Sequence, residues 1–228
     1  MSELYILYDD AAIVLCEKPI GLSSQTTDGD SDLPTALTRY FADRGERVTP
    51  YVLHRLDTAV GGLMVYAKTK EAAGALSREI AEGNTVKEYL AVVSGDVAAS
   101  LGEEGELFDY LFKDSRKNKS FAVKKKRQGV KDARLLYRVI GKRAYEGGVL
   151  SLVAITLLTG RTHQIRVQFS SRGFPLFGDG KYGSRLKGEI ALFSCALTLT
   201  HPTTGERMRY TLPMPDRMPF GLFREVTL

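Results

Sequence analysis

Leu53-His54-Arg55-Leu56-Asp57 closes a strand-like run, residues 48–53, with a carboxylate. Gly61-Gly62 follows, and then the apolar run Leu63-Met64-Val65-Tyr66-Ala67. This pattern puts Asp57 on a loop between two buried strands, where a rigid scaffold holds an acid that still meets a ligand. His54 and Arg55 beside it point to an anionic ligand. Two readings of Asp57 stand side by side. It is a loop aspartate that caps a turn or pairs with Arg55, or it is a reacting carboxylate. The small and largely apolar Thr58-Ala59-Val60 favours the second, because it sets a partly desolvated wall beside the acid.

Outward from this loop the pattern is mixed, with strands predominating. Residues 12–17 read as a short buried strand, stopped by the turn Lys18-Pro19-Ile20-Gly21. Residues 32–43 read as a helix, with Asp32 as N-cap, Pro34 in the first turn, and Leu37, Tyr40 and Phe41 at helical spacing. Residues 63–68 are a strand. A second helix spans 70–82, capped by Thr69 and ended by Gly83, with Ala72, Ala73, Leu76 and Ile80 as its apolar stripe. Residues 86–93 alternate as a strand. A loop-rich stretch, 94–132, precedes strands at 133–140 and 149–158 joined as a hairpin through 141–148. Residues 162–172 read as a short helix closed by Gly173. Further strands at 192–200 and 208–212 flank the turn His201-Pro202-Thr203-Thr204-Gly205. With no repeat and no linker, the reading is one α+β domain, residues 1–228, on a largely antiparallel sheet with flanking helices.

The bulk properties bound the chemistry. The 228 residues suffice for a substantial core. Lysine and arginine exceed aspartate and glutamate by 32 to 27, a mild basic excess that permits an anionic partner without requiring one. Cys16 and Cys195 sit in apolar strand-like runs and read as reduced core residues. Two cysteines and three scattered histidines make no zinc site, so no metal is expected. No apolar run approaches the ~20 residues of a membrane span, and no secretory leader is visible. A cytoplasmic monomer with no membrane partner is the expectation.

Three further features carry chemistry. Gly160-Arg161-Thr162-His163-Gln164-Ile165-Arg166 places Arg166 on the same helix face as Thr162, Ile165 and Phe169. An inward arginine needs a carboxylate, because an unpaired buried charge is very costly. Asp57 is one candidate and Asp179 the other. His163 packs or bonds locally. Gly178-Asp179-Gly180-Lys181-Tyr182-Gly183 matches a dinucleotide-loop pattern formally, but no amphipathic helix follows, and it reads as a tight turn. Residues 113–127 hold eight lysines and arginines against Asp114, with Phe112 and Phe121 interleaved. A solvated loop is the bland reading. A phosphate-contacting arm including Lys124, Lys125, Lys126 and Arg127 is the functional one.

His54-Arg55-Leu56-Asp57 with Gly62-Leu63, residues 87–91, and Gly160 through Arg166 together resemble the RluA family of RNA pseudouridine synthases. Lys18-Pro19-Ile20-Gly21 is similar to that family's N-terminal turn, and Gly178-Asp179 with Tyr182-Gly183 to a later one. The matches run in order over about residues 11–205. The resemblance implies isomerisation of uridine in rRNA or tRNA, without cofactor, by a catalytic domain lacking the small appended RNA-binding domain of many relatives. It implies Asp57 as the catalytic aspartate, Arg166 as its ion-pair partner and Tyr89 as the ring that stacks on the target base. It also implies Arg55 as an RNA contact near the flipped nucleotide, a role to which His54 and Arg161 are added as expected RNA contacts. The commoner family form has Thr-Ser where this chain has Val60 and Gly61, which is expected to loosen the loop after Asp57. A non-catalytic RNA-binding module on the same fold is the competing class. Asp57 opposes it, since a pure binder gains nothing from an anion facing phosphates.

Overall fold

The computed structural model describes residues 4–27 and 32–226. In chain order the elements are β1 (Ile6–Asp9), β2 (Ile13–Lys18), α1 (Leu33–Asp43), β3 (Tyr51–Val52), β4 (Gly61–Ala67), α2 (Lys70–Glu82), β5 (Val86–Ser94) and α3 (Val97–Leu101). They continue with β6 (Glu104–Asp114), β7 (Lys119–Val123), β8 (Val130–Tyr145), β9 (Gly148–Leu157), α4 (Gln164–Ser170), β10 (Leu192–Thr200) and β11 (Arg207–Thr211). The class is α+β, and the sheet pairings are largely antiparallel, as the sequence pattern leads one to expect. Among the described residues no helix is long and apolar enough to cross a membrane.

The chain forms two compact units, residues 1–87 with 194–213, and residues 88–193 with 214–228. In the first, β1, β2, β4, β10 and β11 lie side by side, with β3 pairing to β4. All seven residues of β4, Gly-Gly-Leu-Met-Val-Tyr-Ala, are buried. Such a strand reads as a continuous apolar run because it is covered on both faces. Gly62 has φ 120°, and a Cβ there would lie 2.3 Å from the carbonyl oxygen of Ser194 on β10, so only glycine lets these strands meet.

Both long helices are fixed by their ends. The Asp32 carboxylate accepts the Thr35 N–H at 2.7 Å to start α1, whose buried stripe is Leu33, Pro34, Leu37 and Phe41. Tyr40, expected in that stripe, is only half-buried. Thr69 caps α2 by accepting the Ala72 N–H at 3.1 Å, and Gly83 ends it in the left-handed region. The α2 stripe is narrower than its pattern: Ala72 and Leu76 are buried, while Ala73 and Ile80 are half-exposed.

In the second unit β5, β9, β8, β6 and β7 form the sheet. This corrects the loop-rich reading of residues 94–132. That stretch holds α3, an eleven-residue β6, the edge strand β7 and the start of β8. The 133–140 strand likewise extends to Val130–Tyr145, and the hairpin connection shrinks to Glu146-Gly147. Both turn residues have positive φ, 45° and 75°, the conformation whose twist suits a two-residue hairpin. The strand expected at 48–53 reduces to Tyr51–Val52, and β1 was not visible in the pattern.

Candidate active site

Asp57 lies in the first unit, half-exposed, on the loop that feeds β4. Both neighbours are tied to the segment after β2. Ser24 Oγ donates to the Leu56 carbonyl at 2.9 Å and accepts the Leu56 N–H at 3.2 Å. The Thr58 carbonyl accepts the Gly21 N–H at 2.8 Å and the Lys18 ammonium at 3.3 Å. Beyond Asp57, the Val60 N–H closes a turn on the Asp57 carbonyl at 2.9 Å, and Val60 is buried. The loop is therefore packed rather than loosened. At Gly61 a Cβ would meet the Lys18 carbonyl at 3.2 Å and Ile20 Cγ1 at 3.3 Å, so the glycine admits the Lys18–Gly21 turn against the strand.

Lys18 is the residue that sequence reasoning missed. Its side chain is fully buried, and its ammonium donates to the carbonyls of Pro19 at 2.9 Å and Leu22 at 2.8 Å as well as Thr58. Burial pulls its pKa down to about 8, against the attraction of the Asp57 carboxylate, which favours the charged form. A buried cation thus sits in electrostatic reach of the candidate catalytic acid. The sequence signal was the Lys18-Pro19-Ile20-Gly21 turn itself.

His54 serves the scaffold. Its Nε2 accepts the Val65 N–H of β4 at 3.2 Å, and its Nδ1 is buried without a hydrogen-bond partner. Burial, aided by the Lys87 cation, pushes its pKa down to about 3. The imidazole there is neutral, and its Nε2 is committed to β4. Arg55 is exposed, with Nη1 donating to Gln25 Oε1 at 3.1 Å. Cys16 is buried and its thiol is pushed up to about 12; neither cysteine forms a disulfide.

The second unit carries Tyr89 and Arg166. Tyr89 lies on β5 and is buried apart from about 6% of its surface. The helix bearing Arg166 is shorter than expected: α4 begins at Gln164, and His163 precedes it with φ 55°. Thr162 lies outside the helix, and burial runs right round α4, from Gln164 to Phe169. Arg166 points inward, as its flanking apolar residues predict. Its Nε and Nη2 donate to the two Asp179 oxygens at 2.7 and 2.9 Å, with both side chains buried. This bidentate geometry fixes the guanidinium plane. The plane also rests on the Tyr182 ring, 5.1 Å from its centroid. The Tyr182 hydroxyl accepts the Ser120 N–H at 2.9 Å and lies 2.8 Å from His163 Nδ1.

The segment Gly178–Gly183 is accordingly a short 3-10 turn that presents Asp179 and Tyr182 to Arg166. At Gly178, φ is 76° and a Cβ would lie 2.3 Å from the Glu189 carbonyl oxygen. Gln164 secures the preceding loop: Oε1 accepts from Thr159 Oγ1 and from the Arg161 N–H, and Nε2 donates to the Arg134 carbonyl. Arg161 itself is half-buried, its Nε donating to the Asp132 carbonyl at 2.8 Å. Lys124, Lys125, Lys126 and Arg127 are exposed on the β7–β8 connection, and Lys126 pairs with Asp132 at 2.9 Å.

Each unit carries one marked feature: the first an acid on a pinned loop before a buried strand, the second a clamped arginine on α4. The sequence profile of RNA pseudouridylate synthases matches residues 12–171. The chain belongs to the RNA pseudouridylate synthase family. A ribosomal large subunit pseudouridine synthase D from Nitrosomonas europaea is 33% identical over 94% of this chain, and the chain spans 63% of that relative's length. A similarly named protein from Pseudomonas aeruginosa is 32% identical over 94% of the chain and 69% of its own. Among solved structures, human RNA pseudouridylate synthase domain containing 1 superposes with a TM-score of 0.76. It is 25% identical, with 92% of this chain and 83% of that one covered. The RluA-type resemblance read from the motifs stands on these matches.

Proposed function

We propose that this chain isomerises uridine in RNA to pseudouridine, with residues 1–228 acting as one catalytic domain and Asp57 as its catalytic carboxylate. The observation that carries the reading is the setting of Asp57 in a chain of this family. Its neighbours Leu56 and Thr58 are held by Ser24, Gly21 and Lys18, and the buried Lys18 ammonium lies within electrostatic reach of its carboxylate. The reaction breaks the bond between N1 of uracil and C1′, turns the base and joins C5 to C1′, with C5 releasing a proton and N1 gaining one. Atoms are conserved, so no redox or group-donating cofactor enters. Asp57 either attacks C1′ or takes a proton from the sugar, and an ionised, oriented carboxylate suits both. Arg166 is assigned to keep that carboxylate ionised, Tyr89 to stack on the target base, and Arg55 to contact RNA beside it. Reaching a paired or stacked uridine requires extruding it first.

Two relatives carry names of large-ribosomal-subunit enzymes, which makes that subunit's RNA the first substrate to test, with tRNA as the second. The test is release of tritium from RNA labelled at uracil C5. Asp57→Asn should abolish release and keep RNA affinity within a few-fold, because phosphate contacts dominate binding. Turnover by the purified variant would remove Asp57 from the chemistry. Wild-type protein that binds these RNAs yet never converts uridine would establish the non-catalytic alternative.

A further inference from the structure

The sheet of the second unit has two unlike faces. Successive residues of a strand point to opposite sides, so β6 sends Leu107, Asp109 and Leu111 one way and Phe108, Tyr110 and Phe112 the other. The first side is the core side. Leu111 packs there with Ala133 of β8, Val167 of α4 and Tyr182, and Asp109 bonds to Gln168 and Arg172. The other side is open. Phe108 is 44% exposed, Leu136 of β8 43% and Leu158, just past β9, 45%. By register Phe108 lies opposite Arg134, and Leu136 opposite Glu106, so these side chains share one surface.

That surface is aromatic and cationic at once. Phe108 and Tyr110 meet edge to face with ring centroids 5.2 Å apart, and Phe112 pairs with Phe121 of β7 across the strands. The Arg127 guanidinium lies 5.5 Å from the Phe112 centroid, and the Lys119 ammonium 5.7 Å from that of Phe121. Two acids of this face are paired with bases. Glu106 takes a bidentate bond from Arg134 at 2.6 and 3.1 Å, and Asp132 pairs with Lys126. Glu104 stands in register with Arg138, and Asp114 with Lys119, whose ammonium donates to the Lys181 carbonyl at 2.6 Å. The exposed Lys124, Lys125 and Arg127 remain as positive excess at the rim.

We propose that this open face of the β9–β8–β6–β7 sheet binds a single-stranded RNA segment, its bases stacking on Phe108 and Tyr110 and its phosphates lying against the 124–127 rim. The inference rests on the RNA reading above and adds to it a requirement for unpaired substrate away from the target uridine. Stacking on a strand-borne ring accepts any base, because every base has a π face, and a basic rim holds the backbone without reading sequence. A duplex keeps its base faces buried, so it gains only the rim. A protein partner would leave the excess of rim cations unused.

The experiment measures binding of a labelled single-stranded oligouridylate, and of a duplex of matching length, across a salt series. Phe108→Ala should weaken single-strand binding roughly tenfold to a hundredfold. It should leave the salt slope and duplex binding unchanged, while Phe108→Tyr, which keeps a ring, binds as wild type. Replacing Lys124, Lys125, Lys126 and Arg127 by Ser should instead lower the log–log salt slope by about 3 units for both probes. Wild-type affinity in Phe108→Ala would overturn the placement, and so would a change of oligomeric mass in that variant with RNA affinity intact, which would mark a protein interface. Failure of wild-type protein to bind either probe would overturn this placement and the RNA reading together.

Discussion

Asp179 takes two nitrogens of the Arg166 guanidinium, so whatever Arg166 does depends on a residue outside its own motif. Removing one partner of a buried, hydrogen-bonded pair leaves the other charge uncompensated, at a cost of roughly 3–5 kcal/mol. Asp179→Asn should therefore lower stability by about that much in urea titrations, and lower kcat for uridine isomerisation more than it raises KM. Asp179→Glu should recover part of both. If Arg166→Leu is inactive while Asp179→Asn turns over normally, Asp179 is structural only. At this scale the acid was legible and its supports were not. Asp57 shows itself in the sequence as a carboxylate between a strand and a glycine-led apolar run. Lys18 does not, because a lysine before Pro-Ile-Gly reads as a solvated turn residue. Its burial arises from Thr58, forty positions along the chain, whose carbonyl it meets. The two possible partners of Arg166 were visible as acids, and the distance that pairs it with Asp179 comes only from the turn geometry at Gly178.

Elements were read well where their ends carry capping chemistry and poorly where two faces of a strand are both apolar. The α1 and α2 boundaries follow from Asp32, Thr69 and Gly83, each of which performs a specific backbone task. β6 escapes a strand reading because Phe108, Tyr110 and Phe112 fill its open face, which erases the alternation of apolar and polar residues, and because the lysines and arginines around β7 resemble a solvated charge run. Glycine positions supply a test at this scale. Gly62 has positive φ and a neighbouring backbone oxygen 2.3 Å from where a Cβ would lie, so Gly62→Ala combines strain with overpacking. Its cost should reach roughly 3 kcal/mol. Gly83 has φ 78° but open space around it, so Gly83→Ala should cost only about 1 kcal/mol. Chemical denaturation of the two variants checks the order. Equal costs would mean that β4 and β10 separate at Gly62 without penalty.

For the molecule as a whole, buried titratable groups set how stability responds to pH, and they act on opposite flanks. Lys18 is held near 8 in the folded chain against 10.5 for the ordinary group, so it favours folding increasingly as pH rises through that window. Cys16, raised from 9.0 to about 12, acts against folding over much of the same range, and the alkaline flank is a compromise. Among the described residues, His54 lowers stability early on the acid flank, while Glu17, whose carboxyl burial raises above 4.5, works the other way. His54 falls from 6.5 to about 3 on folding, so below pH 6.5 the unfolded chain takes up a proton that the folded chain refuses. Stability from this group is complete above pH 6.5 and declines as pH drops towards 3, by up to ~1.4 kcal/mol per pH unit for one proton. The depressed carboxylates Asp10 and Asp32 add their loss only below the ordinary carboxylate value of 3.8. Between pH 6 and 4.5 the decline therefore belongs to His54. Its Nε2 serves only as an acceptor for the Val65 N–H, a task that a glutamine oxygen can take over without titrating. His54→Gln should then hold a nearly constant urea midpoint from pH 6.5 to 4.5, while the wild-type midpoint falls steadily. Parallel declines in the two proteins would show that the imidazole is protonated in place and that the loop carrying Asp57 tolerates its charge.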